Sequence, residues 1–399
     1  ACGFCFIDGA PAVWNGAKYA TGWDEAEKRM LDLNYKMSAK NRTEVRKYLA
    51  LTAPREHAAP PNFIAFENGV LDIDTMELEP PSRERLITNI VPVEWKPDAV
   101  APAVDAFLND VSCNDTDVRT SLEEVAGMCI YRSARRAKMA VLIGEGSNGK
   151  SVYMSMLSAL IGKENYSSVE PANLSKQFQS TPLMGKTANI APDVPINSLN
   201  PEACAMLKKI VTGDEVPAEI KGGETFSFKS FAMMVISMNS YPRTADKTYG
   251  MARRILAVPF DAHFEEGTPG CDPDILDKLT TPEALSRLAF LAVRGLRGVN
   301  QRGYMTEGAR AKEKKEEVRQ ENDPLYRYCT TVIVGEALVG IATKKAFSDF
   351  KEWAEGEGCK ADMELSSFSR KVCSHFGLTT ESSYSSSDHD KARRFVAKK

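Results

Sequence analysis

The sequence predicts an α/β protein whose core is a parallel β-sheet, with further units before and after that core. Two observations lead to this prediction. Between residues 138 and 264, short apolar strand-like runs alternate with helix-like segments, which is typical of parallel sheets with helical crossovers. A glycine-rich loop also joins the apolar run Met139–Ile143 to a helix-like stretch, giving a strand–loop–helix order.

Composition limits the class of protein. With 399 residues and 43% hydrophobic content, the chain can bury a large core and is long enough for two or three domains. The formal net charge of -3 excludes a global basic field, so contact with nucleic acid would need local basic patches. No apolar run approaches the roughly 20 residues that cross a bilayer. The first residues also lack a secretory pattern, so we expect a cytoplasmic protein.

The cysteines and the first residues add two expectations. Nine cysteines are scattered through the chain, and the Cys2–Cys5 pair has no second pair or histidine cluster beside it. Reduced structural thiols are therefore favoured over a disulfide framework or a zinc site. The chain begins at Ala1, and residues 2–6 resemble a strand interior, which predicts a fragment of a longer polypeptide.

Before the loop, the sequence predicts a small mixed unit that contains two helices, followed by a hairpin and two further helices. The hairpin turns at Asn68-Gly69, a dipeptide that favours tight β-turns. Apolar periodicity predicts the helices. The predicted elements are helices around Asp24–Leu33 and Thr43–Leu51, the hairpin Phe63–Ile73, and helices Ala101–Leu108 and Val118–Tyr131.

After the loop, strands and helices continue to a charged segment and a final small unit. Asn200 is suited to cap a helix that has Pro201 in its first turn. The final unit is predicted to be helical with a terminal hairpin. The predicted elements are strands Thr187–Ala191 and Phe231–Met238, helices Pro201–Val211 and Pro282–Val299, a charged helix or linker over Glu307–Asp323, and the final unit Leu325–Lys399.

The loop Gly144–Ser151 matches a phosphate-binding motif at all four of its fixed positions. Glycines permit backbone torsions that turn successive amides into one concavity, and the following helix directs its partially positive end there. Lys150 is suited to reach the outer phosphates and Ser151 to bind Mg²⁺, which predicts a nucleoside triphosphate ligand. A plain glycine-rich turn is the alternative. The predicted binding residues are Gly144, Glu145, Gly146, Ser147, Asn148, Gly149, Lys150 and Ser151.

Two strand ends carry polar residues that suit phosphate chemistry. Asp193 follows the strand Thr187–Ala191, and a carboxylate there can hold Mg²⁺ or orient an attacking water. Asn239 follows the strand Phe231–Met238, and its amide can hydrogen-bond the terminal phosphate or that water. Considered alone, an Asp such as Asp193 is more often a helix cap or turn former, whereas Asn239 could equally be a turn former after a buried strand.

Two basic features suggest contacts beyond the triphosphate. Residues 219–228 read as a hairpin around Gly222 and Gly223, with Lys221 beside its tip, where a cation can grip a DNA phosphate. Arg253 and Arg254 precede an apolar run, and one of them can act as an arginine finger in a neighbouring subunit. An exposed turn lysine and a solvated arginine pair are the alternatives.

In order and spacing, these motifs resemble the superfamily 3 helicase core of phage and plasmid primase-helicases, within the AAA+ class of ring ATPases. The segments Phe66–Asp72 and Leu122–Gly127 are similar to the domain that precedes such helicases. The resemblance implies a Walker A loop at Gly144–Ser151, a Walker B acid at Asp193, a DNA-contacting hairpin at Lys221, Gly222 and Gly223, sensor 1 at Asn239, and a finger at Arg253 or Arg254, with a slight preference for Arg254.

One departure concerns the catalytic base. Members of this family often carry Glu or an acidic pair where this chain has the single Asp193 after Pro192. Because Asp reaches less far than Glu, the base is left open, with Asp214 and Glu215 as substitutes.

The resemblance also implies a domain arrangement. Residues 1–137 would form a helicase-associated region that serves as an oligomerisation collar, and residues 138–323 the AAA+ core with trailing helices. Residues 324–399 would form a winged-helix-like domain that contains Phe347–Glu355, Leu365–Phe376 and a basic end, Lys391–Lys399.

The implied function is an ATP- and Mg²⁺-dependent DNA helicase of phage or plasmid replication. It would assemble as a homo-oligomer, expected to be a hexameric ring, in a phage-infected or plasmid-bearing cell. It would move 3′ to 5′ on single-stranded or forked DNA, with any primase or polymerase domain upstream in the same polypeptide. The alternatives are a DNA translocase, packaging or remodelling ATPase that does not separate strands, and an origin-binding scaffold module.

Overall fold

The computed structural model describes residues 3–134, 138–195, 199–219, 225–239, 249–265, 267–268, 270–357, 361, 363–385 and 390–398. The chain divides into two compact units, Ala1–Lys312 and Glu313–Lys399. The domain boundaries at 137/138 and 323/324 stay predictions. Among the described residues, no helix is both long and apolar enough to cross a membrane.

The first unit begins with two small sheets. One has the strand order β3-β2-β1-β4, and the other has the order β7-β6-β5-β8 and contains the predicted hairpin, in which Phe66 pairs with Gly69. The elements are β1 (Phe4–Ile7), β2 (Ala10–Trp14), β3 (Tyr19–Thr21), α1 (Trp23–Leu33), α2 (Ala39–Thr52), β4 (Arg55–Glu56), β5 (Phe63–Phe66), β6 (Gly69–Asp72), β7 (Glu77–Glu79) and β8 (Ile90–Val91).

The central sheet has five strands, in the order β10-β11-β14-β9-β15, and every neighbouring pair is parallel. Every residue of its three inner strands and of β15 is buried, which explains why these strands are mostly apolar; the buried polar residues among them are Asn189 in β11 and Ser237 in β14. The predicted α/β class with a parallel sheet is confirmed. The strands are β9 (Met139–Ile143), β10 (Tyr166–Ser167), β11 (Ala188–Ala191), β14 (Met233–Met238) and β15 (Ile255–Pro259).

Among the described residues, an antiparallel pair, seven α-helices and two short 3-10 helices, Pro171–Asn173 and Thr181–Leu183, complete the first unit. Helices α2 and α4 begin earlier than apolar periodicity suggested, because polar caps set their first residue; Asp115, for example, accepts hydrogen bonds from the amides of Asp117 and Val118. The elements are α3 (Pro102–Val111), α4 (Thr116–Cys129), α5 (Lys150–Ile161), α6 (Pro201–Thr212), β12 (Glu215–Glu219), β13 (Thr225–Lys229), α7 (Tyr249–Ala252), α8 (Ile275–Leu279) and α9 (Pro282–Arg302).

Helices α4 and α9 approach until their backbones touch. A Cβ on Gly127 would lie 2.3 Å from the Ala292 carbonyl oxygen, and a Cβ on Gly295 would lie 2.7 Å from the Glu123 carbonyl carbon. Both contacts are with backbone atoms, which cannot rotate away. Glycine is therefore required at both positions if the helices are to pack at this distance.

The second unit has its own core, formed by buried side chains that include Phe350, Phe368 and Phe395. The predicted terminal hairpin is present, and two further bridges join its second strand to Val339 and Ala342. The winged-helix assignment stays a prediction. The remaining elements are α10 (Ala309–Asn322), α11 (Pro324–Thr331), α12 (Gly335–Leu338), α13 (Thr343–Gly356), α14 (Leu365–Phe376), β16 (Leu378–Ser385) and β17 (Asp390–Ala397).

Candidate functional site

Three of the predicted site residues follow neighbouring strands of the central sheet. Gly144 follows β9, Asn239 follows β14, and Asp193 lies two residues beyond β11. Because these strands are parallel and adjacent, their carboxyl ends meet at one edge of the sheet, which is where open α/β sheets bind ligands. The Gly144 amide donates to the Met238 carbonyl at 3.2 Å, so the loop is joined directly to the end of β14. The sheet order therefore puts Asn239 between the loop and Asp193.

The loop after β9 has a backbone that only a few residue types adopt. Gly146 has φ 122° and Gly149 has φ 86°, and Ser147 between them is also left-handed, with φ 44°. A Cβ on Gly144 would lie 2.1 Å from the Asn148 side-chain nitrogen and 2.3 Å from the Phe260 carbonyl oxygen. Gly149 precedes the first residue of α5, so the loop leads directly into a helix N-terminus. Loops of this kind present amides to anions.

Lys150 is buried, with 5% of its surface exposed. Its Nζ donates to the Gly144 carbonyl and to Asn148 Oδ1, the latter at 3.0 Å. Burial lowers the pKa of Lys150, and the negative charge of Asp193 acts in the opposite direction. The ammonium group is thus held inside the loop by two neutral oxygens and is influenced electrostatically by a carboxylate from the neighbouring loop.

Asn148 joins the loop to the residue that follows β15, the strand on the other side of β9 from β14. Its Nδ2 donates to the Phe260 carbonyl at 3.2 Å, while its Oδ1 accepts from Lys150. The Phe264 amide also donates to the Ser147 carbonyl at 2.7 Å. Sequence reasoning included Asn148 as a loop residue without a separate role. Its position as a bridge depends on a partner more than a hundred residues away, which spacing does not reveal.

Asp193 has an exposed side chain and a strained backbone, with φ 49°. Its amide donates to Ser237 Oγ at 2.9 Å, and the Val194 amide donates to the Ser237 carbonyl at 2.9 Å. Ser237 is buried in β14 and was not identified from the sequence. Ser237 holds the loop after β11 against β14. It therefore fixes the position of the Asp193 backbone, from which the carboxylate extends.

The remaining predicted residues of this edge are open to solvent. Ser151 is exposed in the first turn of α5, and Asn239 is exposed at the end of β14. Glu145, Gly146 and Ser147 are exposed as well. The edge therefore offers side-chain oxygens from three loops around the buried Lys150.

Arg253 and Arg254 lie at the opposite edge of the sheet. They precede β15, and the Arg254 carbonyl accepts from the amide of Met139, the first residue of β9. The five residues of β9 therefore separate them from the loop, a distance of about 16 Å along the strand. The Arg254 side chain donates to the Gly250 carbonyl at 2.6 Å, whereas Arg253 is exposed. Neither arginine belongs to the edge that carries Lys150 of the same chain.

The hairpin's two arms are β12 and β13, which pair from Glu215 with Lys229 to Glu219 with Thr225. Thr181 Oγ1 donates to the Glu219 carbonyl at 2.8 Å and holds one arm. Lys221, Gly222 and Gly223 lie outside the described residues. Of the two substitute bases, Asp214 accepts from the Thr212 hydroxyl at 2.6 Å, and Glu215 is exposed at the start of β12.

Two protein-family models match the chain. One, described as "D5 N terminal like", matches residues 19–113. The other, described as a "Family of unknown function (DUF5906)", matches residues 142–254. The second match begins within β9 and ends at Arg254, so it contains both the edge around Lys150 and the arginine pair.

Three solved structures of the NrS-1 C terminal region, described as apo, are similar to the chain. Two have a TM-score of 0.59, with 14% and 12% sequence identity, and each match covers 99% of this chain and 96% of the solved one. The third has a TM-score of 0.54 at 13% identity and covers 99% and 95%. At these identities the likeness shows that the chain shares its fold with the NrS-1 C terminal region.

Proposed function

We propose that this chain is an ATP-dependent DNA helicase of the superfamily 3 type that acts in phage or plasmid replication. The observation that supports this most strongly is the distribution of the site over two edges of one sheet. Lys150, Asp193 and Asn239 share one edge, and the arginine pair is at the other. A ring of identical subunits would bring the arginine edge of one copy to the triphosphate edge of the next.

The comparisons support the same class of protein. The D5 N terminal like match and the fold shared with the NrS-1 C terminal region fit a phage primase-helicase family. We infer the finer assignment, an ATP-hydrolysing AAA+ ring that is hexameric, from the motifs and their positions in the sheet.

The residues at the sheet edge that carries Lys150, Asp193 and Asn239, called the loop edge below, fit a triphosphate with Mg²⁺. Gly144 and Gly149 let the loop pack where a Cβ would lie 2.1 Å from the Asn148 side chain and 2.7 Å from that of Val111, and the loop leads its amides into the start of α5. Bound Mg²⁺ would neutralise charge on the phosphates, and Ser151 and Asp193 are the residues that would hold it. Lys150 would exchange the oxygens of Gly144 and Asn148 for phosphate oxygens and stabilise charge on the transferring group. Asn239 would hydrogen-bond the terminal phosphate or the attacking water.

The neighbouring subunit would complete the site. Arg253 is exposed and free to reach another copy, whereas Arg254 is tied to the Gly250 carbonyl. This geometry favours Arg253 as the finger, although sequence reasoning slightly preferred Arg254. An arginine supplied in this way stabilises charge only when two subunits are correctly docked, which couples hydrolysis to subunit movement. The hairpin β12–β13 would carry Lys221 to a single DNA strand.

A lysine substitution tests the triphosphate site. Lys150→Ala should abolish DNA-stimulated ATP hydrolysis, because Lys150 is the buried cation of the loop Gly144–Ser151. Lys163→Ala, at an exposed position just after α5, is the matched control and should hydrolyse ATP normally. Full activity in Lys150→Ala would refute the site.

Strand displacement on forked DNA separates the helicase from a duplex translocase or remodelling ATPase. We expect ATP-dependent release of one strand from the fork. Lys221→Ala should hydrolyse ATP but release little strand. ATP-driven movement along duplex without strand release would favour the translocase instead.

A further inference from the structure

The second unit carries a groove of about 760 Å³ whose charged lining residues, where the structure describes them, are all basic. It lies between the start of α13, one face of α14 and the strands β16 and β17. Among the described residues, three cations line it, Lys344, Arg370 and Arg393, and no carboxylate does. Five hydroxyl side chains complete its polar wall: Thr343, Ser366, Ser369, Thr379 and Thr380.

The cations of this groove are available to a ligand. Lys344, Arg370 and Arg393 are all exposed, and none of them forms an ion pair with a carboxylate of the described residues. Arg393 is held in place by Nε, which donates to Thr380 Oγ1 at 2.9 Å. The neighbouring Lys371, by contrast, lies outside the groove and is paired with Asp323 at 3.7 Å. Cations that face one concavity without counter-charges are suited to bind a polyanion.

The described lining of the groove offers no aromatic face on which an unstacked base could stack. The lining residues that the structure describes include no Phe, Tyr, Trp or His; the apolar members are Leu365, Cys373, Leu378 and Ala392. Surfaces that bind single strands combine cations with aromatic faces on which bases stack. Hydroxyls and cations without aromatic side chains instead suit the sugar–phosphate backbone, which half or more of the hydrogen bonds in protein–DNA complexes contact.

We propose that this groove binds the backbone of duplex DNA. The start of α13 would contribute to the binding, since its first amides have no side-chain cap and Thr343 and Lys344 of that turn line the groove. Backbone contact without base readout makes the interaction independent of sequence and sensitive to salt. The inference rests on the proposed function only in that DNA is the polymer; it requires no ATP hydrolysis and is separate from the single-strand contact assigned to Lys221.

The test compares two double charge reversals in the full chain without ATP. Lys344→Glu with Arg370→Glu should weaken binding to a blunt duplex by about tenfold or more. It should lower the slope of log affinity against log salt by about 2, since two phosphate contacts are lost. Lys345→Glu with Lys371→Glu is the matched control, because those lysines follow the groove residues in sequence but do not line the groove; its affinity should fall much less.

Four further measurements make the result decisive. ATP hydrolysis should be the same in the groove variant and the unmodified chain, and Lys150→Ala should still bind duplex, so failure of the proposed function would leave this inference intact. The neutral pair Lys344→Ala with Arg370→Ala repeats the test without introducing repulsion. Unchanged duplex affinity in both groove variants would overturn the proposal. So would an equal loss on duplex and on single strands, which would show a surface for single-stranded DNA.

Discussion

At the scale of single residues, the loop edge depends on backbone conformations that side-chain chemistry alone does not explain. Asp193 has φ 49°, and its amide is held by Ser237 Oγ at 2.9 Å. A left-handed residue other than glycine costs about 1 kcal/mol or more, and Asp and Asn tolerate it best. The hydrogen bond from the Asp193 amide to Ser237 therefore holds Asp193 in a left-handed backbone conformation that is unfavourable for most residues.

This leads to a prediction that separates conformation from charge. Asp193→Asn should retain the stability of the chain but lose most ATP hydrolysis, because it keeps the left-handed tolerance and removes the charge. Asp193→Ala should lose the same activity and be less stable by about 1 kcal/mol. Thermal unfolding and hydrolysis at a series of Mg²⁺ concentrations measure both effects. Equal stability of the two variants would contradict the conformational argument, and an active Asp193→Asn would contradict the Mg²⁺ role.

At the scale of elements, the pair α4–α9 is held by close backbone contact. Gly127→Ala and Gly295→Ala should each destabilise the chain by about 3 kcal/mol or more, because the new methyl group would meet backbone atoms at 2.3 and 2.7 Å. Gly298→Ala is the control on the same helix, since its Cβ would meet only the movable end of Arg302 at 2.9 Å. Chemical denaturation measures the three free energies of unfolding, and equal losses would contradict the packing argument.

The buried Glu124 in the same pair predicts a dependence on pH. Burial raises the pKa of Glu124, although hydrogen bonds from Thr306 and the charge of Arg302 oppose the rise. The folded state therefore binds this proton more tightly than the unfolded state does. The stability that this carboxyl contributes is present below its ordinary pKa, and it is lost as pH rises through the raised folded value.

Glu124→Gln tests that sign. The substituted side chain stays neutral, so the stability of the variant relative to the unmodified chain should improve as pH rises from about 4 to 7. Denaturant unfolding at several pH values measures the difference. Glu283→Gln, at an exposed position in the first turn of α9, controls for loss of a carboxyl group. A difference that does not change with pH would contradict the direction of the shift.

At the scale of the whole molecule, the separation of Lys150 from the arginine pair predicts complementation between subunits. Lys150→Ala lacks the loop cation but has both arginines, and Arg253→Ala with Arg254→Ala has the reverse defect. Each alone should hydrolyse ATP poorly, and a mixture that forms joint oligomers should recover part of the activity. Light scattering establishes that mixed oligomers form. Absence of recovery in such oligomers would contradict a shared site.

Much of the central sheet could be predicted because its signals are local. The runs at Met139–Ile143 and Met233–Met238 are apolar since both faces of the sheet are covered, and capping residues such as Asn200 mark helix starts. The predicted strand Phe231–Met238 began two residues early, because Phe231 is apolar but lies outside the hydrogen-bonded ladder. Apolar periodicity does not show where pairing begins.

The sequence by itself determined the strand–loop–helix unit around Lys150 and the polar residues at two strand ends, because glycine torsions and strand boundaries depend on near neighbours in the chain. Only the tertiary structure decided the order of the strands, and with it which residues share an edge. It put Asn239 between Lys150 and Asp193, joined Asn148 to the Phe260 carbonyl, and put Arg253 at the opposite edge. These relations depend on pairing between segments far apart in sequence, which no local pattern specifies.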